Sequence, residues 1–267
     1  MGRAIVLLRH YTTAALGFSL AACGGGVPLF HGPHALSPGQ TATGVGLSGT
    51  FTTGSMRETV TRARSTTPSA VDPIPPDVST KYAGIAASIA PETAPYVGMR
   101  LGLPSDNEVG LSYTGRYLRL DGRHAFESGH WALSIGGGLS GLWGSGFRSE
   151  QDTPSQQLAA TTSAFGGDVP ILFGWQSDAG VVSLWGGARG AFQRIVGDSA
   201  GEGPSTSIGL NHWRVGGVAG LSFGFRHVHT MLELETAYNS VSGDFGLAHI
   251  KLSGVTLTPA GALRFTF

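Results

Sequence analysis

From about residue 40 onward the chain alternates in twos. In His212–Arg226, Trp213, Val215, Gly217, Ala219, Leu221, Phe223 and Phe225 share one face. His212, Arg214, Gly216, Val218, Gly220, Ser222, Gly224 and Arg226 share the other. Side chains of an extended strand point alternately to opposite sides, so this pattern predicts a strand with one apolar and one small or polar face. The same reading fits Trp131–Trp143, Val169–Gln176, Val182–Gln193, Leu232–Tyr238 and Val255–Phe267. About ten strands are predicted, near 41–52, 95–103, 107–114, 116–126, 130–143, 165–176, 180–194, 210–226, 228–241 and 254–267. The first three are the least regular, and Lys81–Ala90 reads as a further strand or as loop, so counts of eight to twelve fit. No stripe of helical period has useful length.

Strands of roughly ten residues suit an all-β fold, an antiparallel up-and-down transmembrane β-barrel. The connections support it. Those near 104–106, 177–179 and 226–228 are short; those at 145–163, 195–209, 242–253 and 53–94 are long. Short turns at one end and long loops at the other are the habit of membrane barrels. The short 114–116 link is out of place at the long-loop end. A soluble β-barrel burying its apolar faces inward competes, because alternation does not say which face points out. The small face lacks bulk for a second layer, and Trp131, Trp143, Trp175 and Tyr238 fall near strand ends where aromatic girdles lie. Both favour the membrane.

The N-terminus reads as a separate segment. Arg3 and Arg9 precede a short uncharged run from Tyr11 to Ala22, the outline of an export signal over residues 1–22. Leu20-Ala21-Ala22-Cys23 resembles the lipobox of bacterial lipoproteins. The resemblance implies acylation at Cys23, handling by the lipoprotein processing and sorting machinery and, with Gly24 rather than Asp after the cysteine, residence in the outer membrane. Residues 23–39, rich in Gly, Pro and His, are expected to be a flexible tether ahead of a barrel domain at 40–267 with a long loop at 53–94. The ending Gly261-Ala262-Leu263-Arg264-Phe265-Thr266-Phe267 resembles the terminal strand of bacterial outer-membrane β-barrels. Phe265 and Phe267 would then form the signal read by the barrel insertion machinery. Met99-Arg100-Leu101-Gly102-Leu103, a polar turn and Val109-Gly110-Leu111 resemble a hairpin common in such barrels.

Charge adds exclusions. Lys and Arg number 17 and Asp and Glu 17, so nothing electrostatic points to nucleic acid. One cysteine allows no intrachain disulfide, no zinc pattern or other metal site is present in the sequence, and no cofactor is expected. On the predicted inner face fall Arg100, Glu108, Arg119, Asp121, Arg123, Glu127, Asp168, Arg189, Arg214, Glu233, Glu235 and Arg264. Paired charges filling a lumen are the plain expectation; a polar path for a small solute is the sharper one. His227 and His229 sit at a turn without a third ligand. His249, Asp244 and Ser253 share one predicted external loop but nothing fixes their orientation, and no nucleophile-elbow motif is present. The expected role is therefore structural or narrow small-solute passage in contact with outer-membrane lipid, without catalysis. The alternatives are a lipid-anchored soluble barrel binding an apolar ligand and a rim hydrolase acting on envelope lipid or peptide.

Overall fold

The alternation closes on itself. A computed structural model of the chain describes residues 27–65, 76–89, 93–142, 162–199 and 206–267. Cys23, the export signal expected at 1–22 and Trp143 lie outside the described residues. Ten antiparallel strands are described: β1 (Thr41–Gly49, resumed at Phe51–Thr52), β2 (Thr93–Leu103), β3 (Asn107–Tyr113), β4 (Tyr117–Ser128), β5 (Trp131–Leu142), β6 (Thr162–Gln176), β7 (Val182–Ser199), β8 (Thr206–Phe225), β9 (Val228–Phe245) and β10 (Ala248–Thr266). Each pairs with the next, and β1 pairs with both β2 and β10. The two parts of β1 hold one register on β10, Ser48 opposite Ala260 and Phe51 opposite Leu257. Backbone bonds Thr41 N–H to Phe267 O (3.0 Å) and Phe267 N–H to Thr41 O (2.8 Å) complete the seam. Among the described strands no sheet edge is left unpaired, as a hydrocarbon surround demands.

The apolar face points outward. Trp213 is 57% exposed and Phe225 66%, with Val215 and Phe223 between them, while His212, Val218 and Ser222 on the opposite face are buried. Similar rows of outward Val, Leu, Ile and Phe occur on every strand. A soluble barrel would turn these rows inward, so this orientation is that of a membrane-spanning barrel of the bacterial outer-membrane type. Aromatic residues mark two levels. Trp131 stacks on Phe173 (5.2 Å) at the short-turn end, and Phe192 meets Trp213 (4.5 Å) toward the other. Twelve residues separate Trp213 from Phe225. At ~3.3 Å per residue and a tilt near 40° they span roughly 30 Å, one hydrocarbon thickness.

Above the Trp213 level the pattern inverts. Ile208, Leu210, Val241 and Ile250 point inward and are buried, while Ser240, Ser242, Asp244, His249, Lys251 and Ser253 face out. This corrects the loops expected at 195–209 and 242–253. β7 runs to Ser199 and β8 starts at Thr206, and β9 and β10 stay paired to a turn at Gly246-Leu247, with Asp244 opposite His249. The apolar positions change parity where strands leave the membrane, and a reading that follows one parity loses them there. The 145–163 connection lies almost wholly outside the described residues.

The long loop expected at 53–94 is also corrected. It carries α1 (Gly54–Ser65) and α2 (Pro76–Ser88). Val78, Tyr82, Ile85 and Ile89 recur at helical spacing, and Met56 and Val60 of α1 pack with Ile85 and Ile89. Ala87 of α2 joins the inward cluster Tyr117, Ile195, Ile208, Leu210, Val241 and Ile250. The helices thus form a lid on the inverted part of the wall. α2 lies directly on β10: a Cβ at Gly84 would rest in ordinary contact with Ile250 and Leu252 (3.4 and 3.5 Å). The short 114–116 link finds its reason here. Arg116 donates to the carbonyls of Ala86 (2.8 Å) and Ala87 (2.7 Å), satisfying groups that the end of α2 leaves open.

Candidate functional site in the lumen

Inward positions of adjacent strands carry a chain of alternating charges. Arg123 donates to Glu108 (2.8 Å), which also accepts from Arg100; Arg100 reaches Asp121 (2.7 Å), and Asp121 meets Arg119 (2.7 Å). Arg119 grips Asp168 with two nitrogens (2.8 and 3.0 Å). Asp168 also accepts from Arg189 (3.0 Å), which reaches Glu235 (3.2 Å), and Glu235 meets Arg214 (3.3 Å). Nine charges from seven strands form one belt. Arg119 is 1% exposed, so these pairs sit in a medium where an unpartnered charge would be strongly disfavoured.

Glycine makes the belt fit. A Cβ at Gly138 would lie 2.7 Å from both Arg119 Nε and Asp168 Oδ1, and one at Gly110 2.7 Å from Arg100 Nη1. The guanidinium groups therefore lie directly against bare backbone at these glycines. Part of the high glycine content of the small face is spent in this way.

The segment expected as a flexible tether is corrected from Val27 onward: it is packed inside the barrel. Leu29, Phe30 and His31 are buried there. Glu233 accepts the backbone N–H of Leu29 (2.8 Å) and of Phe30 (2.9 Å). Arg189 donates to Val27 O (2.5 Å), and Arg123 to Gly32 O and to His34 O (2.8 Å). Glu108 accepts from Leu36 N (3.0 Å), and Glu127, at the exposed rim, from Ala35 N (2.8 Å). Phe30 packs edge-on against Tyr96 (4.6 Å). The segment leaves at the short-turn end, where Gly39 N–H bonds Gly102 O (2.9 Å). Strand number gives the reason. Eight strands leave an interior that side chains just fill, and ten leave room for a length of backbone. That backbone needs partners, and the belt supplies them.

Above this plug, beneath the lid, a cavity of about 60 Å³ remains, lined among others by Arg119, Asp168, Arg214, His212 and Asn239. That volume has room for a few waters. His212 bonds Asn239 (2.9 Å), which donates to Thr256 (2.9 Å).

The other sequence candidates fall elsewhere. His229 points inward with Nε2 3.2 Å from Gly180 O, while His227 bonds Thr266 O (2.8 Å); they serve different carbonyls. His249 and Asp244 pair at 2.9 Å on the exposed hairpin tip. Ser253 is four residues along the same strand, roughly 13 Å away, beyond hydrogen-bond reach of His249. Among the described residues no cluster of His, Cys, Asp and Glu has metal-binding geometry. Phe267 is exposed on the lipid-facing side and Phe265 is half-buried beside it. Sequence reading missed the plug's anchors. The only signal was inward acids with no arginine of their own, such as Glu233.

No protein-family profile and no curated protein matches the chain. Solved structures resemble it in barrel form. Neisserial surface protein A is 9% identical, covering 85% of this chain and 96% of its own, with a TM-score of 0.33. The translocator domain of the autotransporter NalP from Neisseria meningitidis is 11% identical over 99% and 97%, TM-score 0.37. The outer membrane protein OprG from Pseudomonas aeruginosa is 9% identical over 87% and 98%, TM-score 0.31. Likeness of this degree carries no functional weight. The assignment as an outer-membrane-type barrel rests on the chain's own outward faces.

Proposed function

We propose that this protein is a closed barrel of the bacterial outer membrane with a structural role, sealed by its own N-terminal segment and lid. The observation that carries this reading is the plug, bound through backbone groups to the belt charges Glu233, Arg189, Arg123 and Glu108. Solute passage would require the plug to move. The full-length protein in a planar bilayer is expected to give no steady conductance, and a variant lacking residues 27–39 to give discrete channel steps. Steady conductance by the full-length protein would overturn the reading.

The same reading keeps Cys23 as a lipid attachment site. Val27 packs against the buried cluster that includes Ala164 and Ile195, toward the outer end of the barrel. Four residues span at most ~14 Å when extended, so a lipid on Cys23 would sit at that end of the barrel. Labelled palmitate should enter the wild-type protein and not Cys23→Ala; equal labelling of both rules the lipid out. The terminal strand with Phe265 and Phe267 would engage the barrel insertion machinery, and the short turns would face the periplasm. A catalytic role has no support in the placement of His249, Asp244 and Ser253.

A further inference from the structure

A second cavity, of about 310 Å³, lies between the plug and the wall of β7–β10 and opens at the short-turn end past the exposed Ala179, Arg226 and Ser37. Its size is at the lower end of the range for small-molecule sites, ~300–1,000 Å³. No Asp or Glu lines it, while Arg264, Arg226, His34 and His229 do. Elsewhere in the lumen each arginine meets a carboxylate; here, among the described residues, no hydrogen bond or ion pair reaches Arg264. Glu108, the carboxylate that acts most strongly on Arg264, is already bonded to Arg100 and Arg123.

Four buried polar atoms on these walls lack partners: Trp185 Nε1, Arg264 Nε, Thr266 Oγ1 and His229 Nδ1. Trp185 and Thr266 are each more than nine-tenths buried. Such groups are costly to leave unmet, and four around one cavity point to a missing ligand. The wall is shaped for them. Trp185 lies across Gly220 and His229 against Gly224, where any Cβ would collide. Arg264 stands opposite His229 on the neighbouring strand. Because His229 Nε2 faces the Gly180 carbonyl, which can only accept, Nε2 carries the proton and Nδ1 is an acceptor. Residues lining the site thus carry unmet N–H donors, on Trp185 and Arg264, and one bare acceptor, on His229; all three atoms are covered from water, so a ligand would meet them as these side chains shift.

We propose that this cavity binds a small oxyanion that also carries a hydroxyl, a hydrogen phosphate or a hydroxycarboxylate, admitted from the short-turn end. Acceptor oxygens would take the Trp185 and Arg264 protons, and the hydroxyl would donate to His229 Nδ1. This is independent of whether the barrel conducts. The test is calorimetric titration of the folded full-length protein in detergent with inorganic phosphate and, separately, with lactate. Heat-modifiable gel migration confirms that each variant is folded. Saturable binding of at least one anion is expected, weakened tenfold or more in Arg264→Gln and clearly weakened in Trp185→Phe, which keeps the ring and removes the N–H. Arg57→Gln, on the exposed face of α1, should bind as wild type. Which anion binds distinguishes the phosphate from the carboxylate source. Absence of saturable binding by both anions overturns the proposal, as does undiminished binding in Trp185→Phe, a result that stands even if Arg264→Gln does not fold.

Discussion

Asp168 holds two arginines, Arg119 and Arg189, from strands on either side of its own place in the belt. Removing its charge leaves both guanidinium groups without that partner in a buried setting. Asp168→Asn is therefore expected to cost about 3–5 kcal/mol, the range for breaking buried pairs. Urea unfolding of the refolded protein in detergent, followed by gel migration, would read it. Gly138→Ala tests the same place from the backbone side. The added methyl meets Arg119 and Asp168, so a loss of about 1–3 kcal/mol is expected from overpacking alone. A stability equal to wild type would mean that the belt has freedom to shift. Parity along each strand was enough to predict that these residues face inward. Their pairing was not predictable, because partners such as Asp168 and Arg119 stand 49 positions apart and meet only over Gly138 of the strand between them.

At the scale of elements, one clamp on the lid comes from the 114–116 turn of the barrel. Arg116 holds the last carbonyls of α2 while the Ile85 and Ile89 face packs beneath. Arg116→Ala should loosen α2 without opening the strands, and trypsin should then cut at the exposed Lys81 several-fold faster. Unchanged cleavage would show that the apolar contacts suffice. The helices escaped sequence reading because the lid's apolar face is narrow and interrupted by Gly84 and Ala86. It becomes a coherent face only against the inverted inner wall of β8–β10. The plug escaped for a related reason. A stretch rich in Gly, Pro and His has no periodicity, and its order comes from bonds to distant acids and arginines.

For the whole molecule the decisive property is the surround of its outer face. Ala219 faces outward midway between Trp213 and Phe225, at the predicted bilayer centre. Ala219→Arg should cost about 2–4 kcal/mol in a lipid or detergent setting, the range for a charge at the midplane of a membrane barrel. A water-soluble barrel would accept arginine at such an exposed position almost without cost. Comparing wild type and Ala219→Arg by unfolding in lipid vesicles separates the two cases. Equal stability there would count against a membrane location.

The sequence by itself determined that about ten strands alternate in this way and where most of them run, since a period of two with one apolar face is a local property of the chain. It also determined that charges of both signs line the other face. Only the tertiary structure decided that the apolar face looks outward, that the outer wall inverts its pattern and is roofed by two helices, and that residues 27–36 fill the lumen. Each of these depends on what lies across a closed ring of ten strands. Burial and charge pairing are set by that closure, whereas alternation is the same whichever side meets lipid.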